Sequence, residues 1–320
     1  MTSSILDVDL LAFERGGEAT RAAVVDGVRR SLKTGFVYTR CDLPEDLLDT
    51  AYEMLARFFS LESSIKQRFV APGAHGQTGY TGLLVETAAG SSQADWKEML
   101  NWSVPIPSAH PLRRHYPSNY PEQLLPEEVV PGITAVLVDF HQAVAALQRR
   151  FLRIIALSLG VAETCFDEMT AEAPTLTRAI RYPPMAAAPA KGHVWAAAHA
   201  DINLITALPR ATAAGLQVQV DGDWVDALPP QGRVIINTGL MLERLSNGLI
   251  PAGWHRVVAP RGASQERYSV VQFCHPRPWT VLSPLASCCT AANPQRYGAI
   301  TAAAALEDVL YRINLLGSAG

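Results

Sequence analysis

The chain has 320 residues, of which 48% are apolar and 18% charged, and its formal net charge is −3. These are the figures of an ordinary soluble globular chain, and they exclude a block of like charge suited to nucleic acid or an anionic membrane. The first residues, MTSSILDVDLLAFERGG, have neither a basic head nor a long apolar run, so a cytoplasmic location with no membrane contact is expected.

Residues 18–34 read as an amphipathic helix closed by Gly35, followed by the short strand GFVYT. A second helix starts after Pro44 and runs through LLDTAYEMLARFF, and Ser60 is a candidate cap for a third, LESSIKQRF. From Ala71 to about Pro131 the pattern breaks up into Gly, Ser, Pro and aromatic residues. So long an irregular span in a compact domain suggests a functional surface. A long helix is expected from Pro131 to Gly160, because Ile133, Val136, Phe140, Val144, Leu147, Phe151 and Ile154 keep helical spacing.

After Thr175 the period falls from 3.6 to 2. TLTRAIRY, HVWAAAH, NLITAL, GLQVQV, DWVDA, GRVIIN, GWHRVV and RYSVVQF are strand candidates, and Asp221-Gly222 suits the type I′ turn of a hairpin. Many short strands without room for helical crossovers favour a jelly roll. The stretch AITAAAALEDVLYRINLL reads as a C-terminal helix packed on the outside. The expected fold is α+β, a distorted double-stranded β-helix with helices around it. Residues 1–130, 131–174, 175–282 and 283–320 are its leader and pocket mouth, central helices, jelly-roll core and C-terminal segment, in one compact unit. Five cysteines with no CxxC pair are expected to be reduced thiols, the neighbours Cys288 and Cys289 included.

The chemistry gathers in AAAHADINLITALP. His199 and Asp201 stand one residue apart, and on a continuous strand both side chains share a face. A His-x-Asp triplet alone is weak, and two polar side chains on a surface strand would explain it as well. His255, in GWHRVV, adds a second imidazole from another strand. Two imidazoles and a carboxylate are the facial set of a non-haem Fe(II) centre with three open positions, although zinc accepts the same atoms. Arg267 and Ser269 alternate onto one face of RYSVVQF, where a guanidinium and a hydroxyl can grip one carboxylate. Tyr182, closing TLTRAIRYPP, could add a phenol, or could equally be a core tyrosine. Trp195, Trp254 and Phe273 could line a cavity, though aromatics in such strands are more often core. His193 reads as a histidine at a loop edge.

With these residues in place, the chain resembles the isopenicillin N synthase family of Fe(II)-dependent, mostly 2-oxoglutarate-dependent, oxygenases over nearly its whole length. The resemblance rests on SLKTGFVYTRCDLPEDLLDTAYEMLARFFSLESSIKQRF, DWKEMLNW, HADINLITAL, INTGLMLERLSNGLIPAGWHRVV and RYSVVQF, in family order. It implies Fe(II) on His199, Asp201 and His255, and a 2-oxoglutarate whose distal carboxylate meets Arg267 and Ser269, with Tyr182 a weaker match. It further implies O2 as oxidant, an Fe(IV)-oxo species, release of succinate and CO2, and hydroxylation, desaturation or ring closure of a small amino-acid-like or secondary-metabolite substrate. Two positions depart from the pattern: Leu240 stands where most members are acidic, and Ile180 where many plant members have Asn. Arg181 becomes a candidate anchor for a substrate carboxylate by likeness to deacetoxycephalosporin C synthase, and Phe273 a candidate substrate contact. The alternatives are a 2-oxoglutarate-independent Fe(II) oxidase of the isopenicillin N synthase type and a non-catalytic metabolite-binding module. The expected assembly is a monomer or weak homo-oligomer without nucleic acid.

Overall fold

The computed structural model describes residues 4–87, 93–188, 193–260 and 264–312. Strand β1 (Asp7–Asp9) leads into helices α1 (Leu10–Arg15) and α2 (Glu18–Ser31), and Gly35 at φ +80° turns the chain into strand β2 (Phe36–Arg40). Helix α3 (Glu45–Phe59) starts on Pro44, carries Glu45 and Asp46 in its first turn and Arg57 in its last, and so suits its own dipole. Helix α4 (Ser63–Gln67) follows. Ser60 does not cap it. The N-cap position is Glu62, and Ser60 closes α3 with its hydroxyl on the Arg57 carbonyl.

The span expected to be irregular contains two strands, β3 (Gly79–Thr81) and β4 (Glu98–Trp102), and the short helix α5 (Pro111–His115). Every residue of β4 is buried, so it shows no alternation to read. The long helix is α6 (Ile133–Ser158). It begins one residue after Gly132, which sits at φ +86°, and it ends before Gly160 at φ +72°. Helix α7 (Asp167–Thr170) leads to the eight strands expected between 175 and 282. These are β5 (Leu176–Tyr182), β6 (Ala196–His199), β7 (Ile205–Ala211), β8 (Leu216–Val220), β9 (Asp223–Asp226), β10 (Arg233–Thr238), β11 (His255–Val257) and β12 (Arg267–Cys274). Asp221 and Gly222 both take positive φ in the β8–β9 hairpin. Helix α8 (Leu240–Leu245), the pair β13 (Val281–Leu282) and β14 (Ile300–Thr301), and helix α9 (Ala302–Arg312) complete the order. The end of the expected C-terminal helix lies outside the described residues.

An eight-stranded sheet, β1-β2-β10-β7-β12-β5-β4-β3, faces a four-stranded sheet, β6-β11-β8-β9. This is the jelly roll. One face of the large sheet packs on α2, α3 and α6, with Phe140, Val144, Phe151 and Ile155 among the fully buried residues. The other face looks toward the small sheet across Phe36, Ile180, Tyr182, Val218 and Ile235. A polar seam fastens α6 to the large sheet. Gln148 Nε2 donates to the carbonyls of Gln272 and Ile205, and Gln272 Nε2 donates to His141 O and Thr177 Oγ1.

Strand parity therefore sorts every side chain. Along β5, Leu176, Arg178, Ile180 and Tyr182 point between the sheets; along β12, Arg267, Ser269, Val271 and Phe273 do. No described helix is long and apolar enough to cross a membrane. All five cysteines are free thiols, Cys274 and Cys288 buried.

Candidate active site

The sheets enclose a cavity of about 400 Å³. At its centre His199 ends β6, His255 begins β11, and the two are direct partners across the small sheet. Asp201 is not on the strand of His199. The chain leaves the small sheet at Ala200 and enters the large one at Ile205, and Asp201 lies in that crossing. Here the sequence expectation of one continuous strand fails. The aspartate reaches the histidines because the crossing is clamped: Leu240 N bonds Asp201 O at 2.8 Å and Gly239 N bonds Leu204 O at 2.9 Å. A Cβ at position 239 would stand 2.1 Å from Asn203 O, so only glycine allows the approach.

Nε2 of His199 and of His255 each lie 3.9 Å from Asp201 Oδ1, and the three ligand atoms fall within 4.8 Å of one another. Each imidazole is oriented from behind. His199 Nδ1–H donates to Ala197 O at 2.8 Å and His255 Nδ1–H to Gly253 O at 3.0 Å, which leaves both Nε2 lone pairs facing the common point. Asp201 Oδ2 accepts from Thr206 Oγ1 at 2.6 Å and Asn237 Nδ2 at 2.9 Å, so Oδ1 alone remains for a metal. Burial pushes the His199 pKa down to about 4, aided by its neighbour His255, and keeps the ring neutral. Burial acts to raise Asp201, but the two imidazoles and the two hydrogen bonds outweigh it and hold the carboxyl below its usual range. Three neutral-or-anionic donors on one face with no fourth protein ligand among the described residues fit Fe(II) with open positions. Thr206 and Asn237 were not singled out from sequence. The Asn of INTG was the available signal.

One end of the cavity holds Arg267, only 1% exposed. Its Nη1 donates to Ser269 Oγ at 3.0 Å and its Nε to Ala213 O at 3.0 Å, and its guanidinium lies 5.0 Å from the Tyr182 ring centroid. Arg267 and Tyr182 are register partners across β12 and β5. The three residues expected to act together are together, and among the described residues Arg267 has no carboxylate partner.

The expected substrate residues divide. Phe273 lines the cavity, as does half-exposed Trp254. Arg181 does not. It has the wrong parity on β5 and points to the opposite face, bound to Glu98 Oε1 at 2.5 Å and Glu266 Oε2 at 2.7 Å. The carboxylates it meets are the protein's own, which corrects the expectation that it anchors substrate. Trp195 is core, its indole N–H on Pro183 O, and His193 holds Ala94 O. Arg178, of the right parity on the same strand, lines the cavity together with Glu86, Asp95, Lys97 and His275, none of which the sequence reading assigned. From the C-terminal helix, Leu306 and Val309 line it too.

Comparison with known proteins agrees with this geometry. Residues 174–276 match the model of the 2OG-Fe(II) oxygenase superfamily, and residues 5–127 match that of the non-haem dioxygenase in morphine synthesis N-terminal region. Leucoanthocyanidin dioxygenase 1 of Oryza sativa subsp. indica is 30% identical over 88% of this chain and 73% of its own. The 2-oxoglutarate-Fe(II) type oxidoreductase hxnY of Emericella nidulans is 27% identical over 95% of this chain and 87% of its own. Among solved structures, a 2OG-Fe(II) oxygenase family protein from Caulobacter crescentus superposes with a TM-score of 0.84 at 30% identity, covering 98% of this chain and all of that one. The chain belongs to the 2OG-Fe(II) oxygenase superfamily. It is an oxidoreductase of the dioxygenase class, and its metal and cosubstrate are Fe(II) and 2-oxoglutarate.

Proposed function

We propose that His199, Asp201 and His255 hold the Fe(II), that Arg267 and Ser269 receive the distal carboxylate of 2-oxoglutarate beside Tyr182, and that the enzyme oxidises a C–H bond of a small molecule in the same cavity. The observation that carries this reading is Arg267. A guanidinium buried to 1% exposure with no acidic partner among the described residues is costly, by several kcal/mol, unless an anion joins it. It stands in the same cavity as the His–Asp–His cluster, so one dianionic molecule could bridge the two.

Iron with bound 2-oxoglutarate supplies the oxidising power; the protein supplies position and dryness. Neutral His199 presents its lone pair without first losing a proton, and the two backbone carbonyls behind the imidazoles fix both rings. Thr206 and Asn237 confine Asp201 to one free oxygen. Leu208, Leu216 and Val257 give the cavity apolar walls that would keep water from a bound cosubstrate. A monomer or weak homo-oligomer working in the cytoplasm completes the proposal.

The test is turnover of 2-oxoglutarate with Fe(II) and O2, followed by succinate. Succinate that depends on added 2-oxoglutarate, and an anaerobic Fe(II)–2-oxoglutarate absorption band that disappears in His199→Ala, are expected. Oxygen consumption with no need for 2-oxoglutarate would instead identify an oxidase in which Arg267 grips the substrate itself.

A further inference from the structure

The end of the cavity around Arg178 is built differently from the Arg267 end, and its charges are already balanced. Lys97 Nζ lies 2.6 Å from Glu86 Oε2 and 2.8 Å from Asp95 Oδ2, and Arg178 Nη1 lies 3.3 Å from Glu86 Oε1. Two cations cancel two carboxylates. All four side chains are at most 12% exposed. Burial acts against Glu86 ionising, but Lys97 and Arg178 reverse this and hold its pKa down to about 2, so the network stays ionised at neutral pH.

Arg178 is also spoken for elsewhere, with Nε on Asn101 Oδ1 at 2.7 Å and the guanidinium 5.4 Å from the Phe273 ring centroid. An incoming carboxylate would meet a neutralised arginine with Glu86 beside it in the cavity wall. It would lose its hydration and gain no uncompensated positive charge.

His275 supplies the second observation. It follows β12 directly, lines the cavity, is 5% exposed, and among the described residues neither ring nitrogen has a hydrogen-bond partner. Burial keeps it neutral, its pKa pushed down to about 4. A neutral imidazole offers one N–H donor and one nitrogen acceptor, and both are available to a ligand in the cavity. Leu176, Phe273, Leu306 and Val309 give this end its apolar walls, with Gln77 and Thr87 as uncharged polar neighbours.

Given the reading that 2-oxoglutarate occupies the Arg267 end, we propose that the Arg178–His275 end selects an electrically neutral, largely apolar substrate, gripped through an uncharged polar group such as an amide, carbonyl or hydroxyl. Carboxylates and zwitterions are rejected there. The substrate class is thus narrower than the amino-acid-like one suggested by the resemblance, and Glu86 is the residue that sets the discrimination.

The experiment loads the full-length protein with Zn(II) and 2-oxoglutarate and screens it by ligand-observed NMR against matched pairs of arylacetamides and arylacetates at millimolar concentration. Amides should bind at least about tenfold more tightly than their carboxylate partners. His275→Leu should weaken the amides, and His275→Asn should restore part of the loss. Glu86→Gln should raise carboxylate affinity about tenfold, because it leaves a positive charge uncompensated. Thermal melts of each variant identify any that fail to fold, and the two His275 variants keep the test decisive if Glu86→Gln does. Carboxylates binding as well as amides to the wild type, no amide binding at all, or indifference to both His275 variants would overturn the proposal. If 2-oxoglutarate itself fails to bind the zinc-loaded wild type, the fault lies in the assignment of the Arg267 end.

Discussion

Two arginines face the same cavity, and their surroundings make them opposites. Among the described residues Arg267 has a hydroxyl, a carbonyl and an aromatic face but no acid beside it, so its charge is available to a ligand. Arg178 shares Glu86 with Lys97, so its charge is spent inside the protein. The difference teaches that a buried cation in a pocket indicates an anionic ligand only after its partners have been counted. A third arginine sharpens the point. Arg181, one residue before Tyr182, is the most obvious cation beside the motif, and it is sealed between Glu98 and Glu266 on the other face of the sheet.

The contrast presupposes a metal held by His199, Asp201 and His255 in the same cavity, and the largest effect should come from removing it. Asp201→Ala or His255→Ala is expected to lower succinate formation more than about a thousandfold, measured with saturating Fe(II) and 2-oxoglutarate. At the unneutralised end, Arg267→Ala should raise the KM for 2-oxoglutarate about a hundredfold, the cost of losing a charged buried pair. Ser269→Ala, which loses a single hydrogen bond, should raise it about tenfold or less. An unchanged 2-oxoglutarate KM in Arg267→Ala would erase the distinction between the ends.

At the neutralised end the penalty should fall on the fold. Lys97→Met leaves Glu86 with Arg178 and, among the described residues, Asp95 with no cation, and should lower unfolding stability by roughly 3 kcal/mol in urea titrations. Acid should act on the buried neutral histidines. His141, hydrogen-bonded to Thr177, and His275 both have pKa values pushed down to about 4 by burial. The unfolded chain takes up protons below about pH 6.5 while the folded chain does not. Stability is therefore full above that pH and declines as pH falls from about 6.5 to 4, by on the order of 3 kcal/mol for each histidine. Thermal melts across that window should show the decline, and His275→Asn should make it shallower. The smallest kinetic effect belongs to Arg181→Ala, which should change the KM for 2-oxoglutarate and kcat less than about twofold while lowering the melting temperature. A large kinetic effect there would return Arg181 to the substrate site.

Much of this was legible in the sequence because it is local. The period-two strands from Thr175, the I′ turn at Asp221-Gly222 and the stripe of α6 follow from short-range sterics and side-chain spacing. The candidate His–Asp–His set was readable because few residue types can hold iron, and the structure brings its three ligand atoms within 4.8 Å of one another. What was missed has a common cause. Strand β4 is buried on both faces and carries no alternation, so the segment that brings Lys97 to the cavity and Asn101 to Arg178 looks irregular in the sequence. Arg181 is the expected anchor only by likeness to deacetoxycephalosporin C synthase, whereas period two along TLTRAIRY puts Arg178, Ile180 and Tyr182 on one face and Arg181 on the other.

By itself, then, the sequence determined the inventory: which residues could bind a metal, which could hold a carboxylate, and in what order the elements run. Each depends on chemistry and spacing within a few residues. Tertiary structure alone decided the charge each group still has to offer, because neutralisation is a matter of distance between residues far apart in the chain. Glu86 reaches Arg178 across 92 positions, and Asn237 reaches Asp201 across 36. Only the closure of two sheets around one cavity brings such pairs within a few ångströms, where Coulomb attraction in a dry interior outweighs everything the local sequence prefers.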